Sequence, residues 1–397
     1  MTSGYTMVDF HNTMMAMEQD YDFINDQVTF LDNHDQSRFM TEAGYNELTL
    51  DIAFTLQMTS RGIPCIYYGT EQYMADAAGG MSDPYNRADM TGFDKTTRAY
   101  QIISNLAPLR KTNPALAYGS TQERWLNNDV YVFERVFGNN VVMTAINRNQ
   151  SSGYQLENLM SSLPNGTYSD VLGNLLGGGN ITVTNGSVSD YYLGAGQCAV
   201  WQYTADEEDA PVIGNINPKM SKPGNTVTIT GRGFGDTTGI VAFGTVNAQI
   251  VSWSDSMIKA IVPSGVAGEV EVVVTNANGV LSEAFAGFDV LSGAQVSVRF
   301  KVNNATTDYG TNVYIVGNVP ELGSWDTSKA IGPLFNDTPT IGVYPTWFYD
   351  ISVPANTQIE YKFIKVDGAG NVVWEGGMNH VYTTPASNTG EVTVNWQ

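Results

Sequence analysis

The stretch "QVTFLDNHD", residues 27–35, passes from Val28, Thr29, Phe30 and Leu31 straight into Asp32, Asn33, His34 and Asp35. Four residues of strong strand character followed by ionisable ones predict a buried strand that delivers polar groups into a cleft at its C-terminal end. Arg38 follows closely. Working outward, "NELTLDIAFTLQMTSRG" (46–62) has helical periodicity, with Gly62 as a candidate C-cap. "IPCIYYGTEQ" (63–72) is another buried strand with a polar end, and "TTRAYQIISNLAPLRKTNP" (96–114) is a second amphipathic helix. Strand, helix, strand, helix, with functional groups at strand C-termini, is the grammar of a (β/α) barrel.

Beyond about residue 118 the period changes to two. "DVYVFERVF" (129–137), "NVVMTAINRN" (140–149), "GTYSDVL" (166–172), "GGNITVTNGSVSDYYL" (178–193) and "QCAVWQYT" (197–204) are short strands separated by Gly and Asn turns. "TADEEDAP" (204–211) is acidic, ends in Pro and reads as a linker. "NTVTITGRGFG", "IVAFGTVNAQIVSWSDSMIKAIVP" and "GEVEVVVTNANG", between 225 and 279, alternate regularly and predict an immunoglobulin-like sandwich. From "AQVSVRFKVNNATT" (294–307) a second sandwich, rich in Trp and Tyr, runs to residue 397.

Bulk properties narrow the function. A chain of 397 residues is too long for one core and suggests roughly three domains. A net charge of −21 argues against nucleic acid or an anionic membrane as partner and permits a neutral polymer. No run of about 18 apolar residues occurs, as a membrane-spanning helix would need. Only 15% of residues are charged, the composition of secreted β-rich proteins rather than cytosolic ones. The opening "MTSGYTMVDF" has no basic and apolar regions of a signal peptide and reads like the middle of a domain. Cys65 and Cys198 lie far apart in apolar surroundings and read as two buried free thiols, with no metal-binding spacing.

Three local patterns compete for chemistry. "GRGFG" (231–235) precedes strands rather than a helix, so it reads as a hairpin turn and not a phosphate loop. "NRAD" (86–89) follows Pro84 with no apolar strand before it, so Asp89 is not read as a nucleophile. Asp35 and His34, at the end of a strand, suit electrostatic stabilisation of a developing cation and hydrogen bonding to a substrate hydroxyl. A local helix-capping network around Asn33 and Asp35 explains them equally well.

"FLDNHD" (30–35), "IPCIYYGTEQY" (63–73), "DPYNR" (83–87), "LAPLRKTNPALAYGSTQERW" (106–125), "MSKPGNTVTITGRGFG" (220–235), "ELGSWDTSKAIGPL" (321–334) and "VVWEGGMNH" (372–380) together resemble the cyclodextrin glucanotransferases of the α-amylase superfamily, in order and over essentially the whole chain. The resemblance implies a mainly β multidomain chain. Residues 1–117 would be the C-terminal part of a catalytic (β/α)₈ barrel, from about strand 6 to strand 8. Three β-sandwich domains would follow: domain C (118–205), an immunoglobulin-like IPT/TIG domain (206–293) and a family 20 starch-binding domain (294–397).

In that family three acidic residues serve the active site, and the third belongs to the "NHD" motif. By resemblance it is Asp35, a transition-state stabiliser, with His34 beside it. The nucleophile and general acid would lie upstream of Met1, as would calcium ligands, so no cofactor or metal is expected in this chain. "SGYTMVDF" resembles the strand 6 segment, which would place Asp9 on a strand, and Glu71 of "YYGTEQ" would be structural. Asp83 and Arg87 would hold a donor-side glucose. Gln36 and Ser37 depart from the family pattern after "NHD" and leave the sugar contacts there open. Trp325, Lys362, Trp374 and Asn379 match a first starch-binding site, with the two indoles exposed as a flat platform. Tyr344, Thr307, Gly310 and Asn312 match a second, where Asp337 replaces an amide.

The resemblance implies a retaining α-1,4-glucan transferase or hydrolase, with starch, maltooligosaccharides and cyclodextrins as ligands. It also implies an extracellular location, a monomer, and no nucleic acid or membrane partner. The chain alone would be inactive. A maltogenic α-amylase is the alternative within the enzymes, and a non-catalytic starch-binding protein the alternative outside them. Three strands of an eight-stranded barrel cannot close, so residues 1–110 are expected to be the segment most readily cleaved.

Overall fold

The computed structural model describes residues 5–17, 23–78, 80, 81, 83–291, 293–338 and 342–397. The chain divides into two compact units. One comprises residues 1–215 with 230–235, and the other comprises 216–229 with 236–397.

In the first unit, helix Met7–Met17 opens with a reciprocal cap. Asp9 accepts hydrogen bonds from the Thr6 backbone N–H (2.7 Å) and hydroxyl (2.8 Å), while the Thr6 hydroxyl accepts from the Asp9 N–H (3.1 Å). This corrects the placement of Asp9 on a strand. Met7, Phe10, Met14 and Met17 recur at helical spacing, and the Thr-x-x-Asp cap starts the helix at that point.

The strands expected around "QVTFLDNHD" and "IPCIYYGTEQ" contract to a parallel pair, Val28–Thr29 beside Ile63–Pro64. Pro64 has no N–H to give to a longer ladder. Val28, Phe30 and Ile63 are about half-exposed. Cys65 is exposed for the same reason, whereas Cys198 is buried, and both are free thiols. The expectation of two buried thiols therefore holds for Cys198 only.

Helix Glu47–Thr59 starts at Asn46, whose side chain accepts from the Thr49 N–H (3.0 Å). Every residue from Leu50 to Thr59 is buried, so it is an interior helix rather than a one-faced one. It stops at Ser60, before Gly62. Gly62 is needed for another reason: at φ +92° a Cβ there would lie 2.7 Å from the Gln27 carbonyl. Helix Arg98–Thr112 forms as expected, capped by Thr97 (3.2 Å to the Tyr100 N–H), and Asn113 starts the short helix Pro114–Tyr118. Arg110 ties these pieces together. Its guanidinium donates to the carbonyls of Met58 (2.9 Å), Ser60 (3.0 Å), Gly62 (2.5 Å) and Leu116 (3.2 Å), and burial pulls its pKa down to about 10.

The antiparallel sheet of this unit runs, in spatial order, Cys198–Tyr203, Asn140–Asn147, Val130–Phe137, Ser120–Leu126. All eight residues of 140–147 are buried, because both faces of the sheet are covered. One face, with Tyr131, Phe133, Val142, Ile146, Cys198 and Val200, joins a single core with Leu50, Phe54, Ile102 and Leu106 of the helices. The other, with Val132, Met143, Ala145 and Trp201, packs against Leu159, Ile181, Val183 and Leu193. Residues 47–116 thus share their core with the β domain that follows.

In the second unit, a five-stranded sheet is ordered Met220–Ser221, Phe285–Val290, Gly268–Thr275, Ile240–Phe243, Val246–Asn247. With it stands the hairpin Gln249–Ser254/Met257–Ile261. Buried and less buried residues alternate along these strands, and Phe243 meets Phe288 edge-to-face (5.0 Å) in the interior. The C-terminal sandwich has one sheet ordered Phe335–Thr338, Gly342–Pro354, Gln295–Asn303, Gly390–Asn395. In its other sheet, Gln358–Val366 pairs with Asn312–Gly317, Val372–Trp374 and His380–Thr383. Val296, Val298, Phe300 and Val302 point inward at period two against Val313, Ile315, Tyr361 and Phe363.

Candidate functional site

Two clusters carry chemistry, one in each unit. The first grows from the turn after Thr29. The Asn33 side chain accepts from the N–H groups of Asp35 (2.8 Å) and Gln36 (3.1 Å), which bends the chain as an Asx turn. Asn86, fully buried, closes the bend from the other side. Its amide donates to the carbonyls of Asn33 (3.3 Å), His34 (2.9 Å) and Gln36 (2.7 Å). His34 and Asp35 are thereby displayed to solvent, 65% and 70% exposed, with Nε2 and Oδ2 3.4 Å apart.

Arg87 bridges the cluster. Its guanidinium lies 3.1 Å from Asp83 and 3.6 Å from Asp35, and its Nε donates to the His34 carbonyl (3.0 Å). The structure therefore brings Asp35, His34, Asp83 and Arg87 together from two separate loops. Exposed pairs of this kind add little stability, so they are free to serve a ligand.

Asp32 and Arg38, part of the same polar run, turn inward instead. Asp32 accepts from the Phe39 N–H (3.0 Å) and the Thr70 hydroxyl (3.0 Å), and burial pushes its carboxyl above the usual aspartate range. Arg38 is buried with its guanidinium over the rings of Tyr67 (4.2 Å) and Tyr68 (4.6 Å). It donates to the carbonyls of Asn86 (2.9 Å) and Tyr68 (2.5 Å). The capping network expected around Asn33 and Asp35 does not form: Asn33 closes an Asx turn, the helix Phe39–Glu42 has no side-chain N-cap, and the side chains of His34 and Asp35 face solvent. Glu71 lies in the turn Thr70–Gln72, and its carbonyl accepts from the Thr97 hydroxyl (2.8 Å). Sequence reading missed Asn86 and Thr70, whose importance depends on burial that a single polar letter does not reveal.

The second cluster sits on the C-terminal sandwich. Trp374 ends strand Val372–Trp374 and is 42% exposed, while Trp325, at φ +66°, is partly buried in the turn Pro320–Trp325. Their ring centroids are 6.4 Å apart with planes inclined by 39°. The pair is juxtaposed as expected but forms a shallow V rather than a flat platform. Asn379 is exposed, and its amide donates to Glu360 (3.0 Å), leaving its carbonyl for a ligand. Lys362 lies beneath: its ammonium donates to the carbonyls of Glu375 (3.2 Å), Gly376 (2.7 Å) and Gly377 (3.1 Å).

In the same domain the Tyr344 hydroxyl accepts from the Thr307 N–H (3.0 Å) and donates to the Thr307 carbonyl (3.1 Å). Gly310, at φ +86°, and exposed Asn312 follow on the same segment. Just before Gly310, Tyr309 is fully exposed, an aromatic that sequence reading passed over. The side chain of Asp337 lies outside the described residues. Among the described residues no group of three His, Cys, Asp or Glu side chains is placed to hold a metal, and no helix is long and apolar enough to cross a membrane.

Comparison with known proteins follows the same divisions. The α-amylase catalytic domain matches residues 2–98, and the α-amylase C-terminal all-β domain matches 125–204. The IPT/TIG domain matches 211–287, and a starch-binding domain matches 295–394. A cyclomaltodextrin glucanotransferase of Paenibacillus macerans is 55% identical over 396 residues, covering 99% of this chain and 54% of the relative. That of Thermoanaerobacterium thermosulfurigenes is 53% identical over 393 residues, with the same shares. The crystal structure of a γ-cyclodextrin glucanotransferase from alkalophilic Bacillus clarkii superposes with a TM-score of 0.80 at 47% identity, covering 99% of this chain and 58% of that one. The chain spans about half the length of the curated relatives it matches. With four domain matches in order and this identity along its length, the chain is similar throughout to the C-terminal part of cyclomaltodextrin glucanotransferases.

Proposed function

We propose that this chain binds α-1,4-glucan (starch, maltooligosaccharides and cyclodextrins) through its C-terminal sandwich, as part of a starch-acting retaining glucan transferase or hydrolase. The observation that carries the reading is the V of Trp325 and Trp374, with exposed Asn379 five residues beyond Trp374 in the chain. Indole faces remove the apolar faces of glucose rings from water, and a nearby polar group reads the hydroxyls. Tyr344, Thr307, Gly310 and Asn312 form a second contact region in this reading.

Asp35 and His34 serve the glucan at its reacting end, one by stabilising positive charge and the other by hydrogen bonding, while Asp83 and Arg87 hold a glucose. A retaining glycosidase needs a nucleophile and an acid/base carboxyl about 5–5.5 Å apart. Neither is assigned to a residue of this chain, which in this reading is inactive alone and holds no metal. An extracellular location and a monomer fit an acidic chain acting on a neutral polymer. The test is co-sedimentation of the full chain with granular starch, together with assay for reducing sugar and cyclodextrin. Binding without product is expected. No binding, or product that survives purification and disappears in Asp35→Ala, would overturn one half or the other.

A further inference from the structure

Helix Arg98–Thr112 buries Ala99, Ile102, Leu106 and Leu109 on one face. The flank beside that face presents Tyr100 with Ser104 and Gln101 with Asn105, pairs spaced four residues apart and therefore neighbours on the helix surface. Leu172, Gly173 and Leu175 of the turn 170–176 meet this flank across an open groove of about 250 Å³, whose wall Lys95 completes. The turn is firmly held. Asp170 accepts from the N–H groups of Leu172 (3.1 Å), Asn174 (3.1 Å) and Val200 (2.9 Å), and Gly173 and Asn174 take positive φ of +62° and +70°. The Asn105 amide ties helix to turn by donating to the Leu172 carbonyl (3.4 Å). Both walls belong to the first unit.

Among the described residues, the Lys95 ammonium, the Tyr100 and Ser104 hydroxyls, the Gln101 amide and the Asn105 carbonyl oxygen have no hydrogen-bond partner within the protein. Polar ends that donate and accept, beside a phenol ring and Leu175, suit a ligand whose hydroxyls do the same and whose ring faces are apolar. No carboxylate lines the groove, although acidic residues outnumber basic ones by 40 to 19, which argues against a cation, and one lysine is too little for a polyanion. The volume is smaller than that of pockets enclosing a drug-sized molecule, so the groove suits roughly one or two rings of a longer chain. Resting on the starch-binding reading above, we propose that the groove between helix 98–112 and turn 170–176 is a further glucan-contact site, sharing no residue with the C-terminal sandwich or with the Asp35–Arg87 cluster. The Tyr100 ring covers a sugar face, and Gln101, Ser104 and Asn105 bond its hydroxyls. Walls fixed before the ligand arrives avoid the cost of ordering them on binding. A weak contact of this kind adds to the hold on a starch granule, which presents many chains, so that no single chain has to reach both sites.

The experiment uses the full chain carrying Trp325→Ala, Trp374→Ala and Tyr344→Ala together, which silences the sandwich, with maltoheptaose as probe. Amide hydrogen exchange read by mass spectrometry localises the ligand. Millimolar maltoheptaose is expected to slow exchange in the peptide covering 171–176. Gln101→Ala or Ser104→Arg, added to that background, is expected to abolish the slowing, the first by removing a contact and the second by filling the groove. Ala and Arg both favour helix, and neither position belongs to the buried face, so the fold is retained. In the parent chain the same substitutions should weaken co-sedimentation with granular starch about fivefold, the worth of roughly one net hydrogen bond, and leave the β-cyclodextrin affinity of the sandwich unchanged.

Unaltered exchange at 171–176 in the presence of maltoheptaose would overturn the proposal. So would slowing that persists in both Gln101→Ala and Ser104→Arg. Slowing by inorganic phosphate and not by maltoheptaose would also overturn it, by making the groove an anion site around Lys95. If Ser104→Arg fails to fold, Gln101→Ala decides. Failure of the underlying reading looks different: the parent and the triple variant would then bind β-cyclodextrin equally poorly, while exchange at 171–176 still tests the groove by itself.

Discussion

The indole of Trp325 faces that of Trp374 across 6.4 Å at an inclination of 39°, although 49 positions separate them in the chain. One comes from a tight turn and the other from a strand end. Neither is needed for the core, which is built from Phe300, Trp347, Tyr361 and Phe363.

Replacing either indole should therefore affect binding and leave folding intact. Anchoring Trp residues typically cost about 2 kcal/mol or more on truncation, roughly thirtyfold in affinity. Trp325→Ala and Trp374→Ala should each lose about that factor for granular starch or β-cyclodextrin. The double variant should lose less than the sum, since both rings grip one ligand. Affinity should be nearly independent of salt, because the ligand is uncharged. Native far-ultraviolet circular dichroism with parental binding in both single variants would sink the assignment.

Asn86 and Arg87 are adjacent but should behave differently. Asn86→Ala removes the buried donor that three carbonyls of the 33–36 turn share, and should cost about 2–3 kcal/mol in urea denaturation. Arg87→Ala removes a half-exposed guanidinium and should stay within about 0.5 kcal/mol. Equal costs would mean that the turn is held by charge rather than by the buried amide.

Asp170 should make the stability of the first unit pH-dependent. Burial raises its carboxyl above the ordinary aspartate value, although the N–H groups of Val200 (2.9 Å), Asn174 (3.1 Å) and Leu172 (3.1 Å) pull the other way. The folded state therefore holds this proton to higher pH than the unfolded state. The corresponding stability is complete below the unfolded value and is lost as pH rises through the folded one. Thermal midpoints of the parent measured from the ordinary aspartate range upward should contain this decline, and Asp170→Asn should lack it. Parallel curves would refute the assignment.

Residues 47–116 should unfold together with the β sheet of 120–203. Leu106 is fully buried in the core they share, so Leu106→Ala should cost about 2–5 kcal/mol. The near-ultraviolet signal of Trp201, on the far side of that sheet, should shift to the same lower urea midpoint as the helical signal. Limited proteolysis should not produce a fragment that begins near residue 118. Early loss of the helices with Trp201 still native would restore the view of a separable segment.

Period and composition in the sequence were enough to establish the change from α/β to all-β near residue 118, the two sandwiches beyond residue 211, and the helices around 47–59 and 98–112. These features follow from which residues are apolar and how often they recur, a property written along the chain. The exposure of Asp35 and His34 and the pairing of Trp325 with Trp374 agree with what short motifs led one to expect, and their roles are those proposed above. Tertiary structure decided what depends on neighbours distant in sequence. It turned Asp32 and Arg38 inward while leaving Asp35 out, since Phe39, Thr70, Tyr67, Tyr68 and Asn86 supply the partners that make their burial tolerable. It gave Asp9 to a helix through a cap that needs Thr6, and exposed Cys65 beside a two-residue ladder. It tilted the two indoles and occupied Lys362 with carbonyls, because the backbone path from 375 to 377 is set by strand 358–366 and not by the letters of either segment.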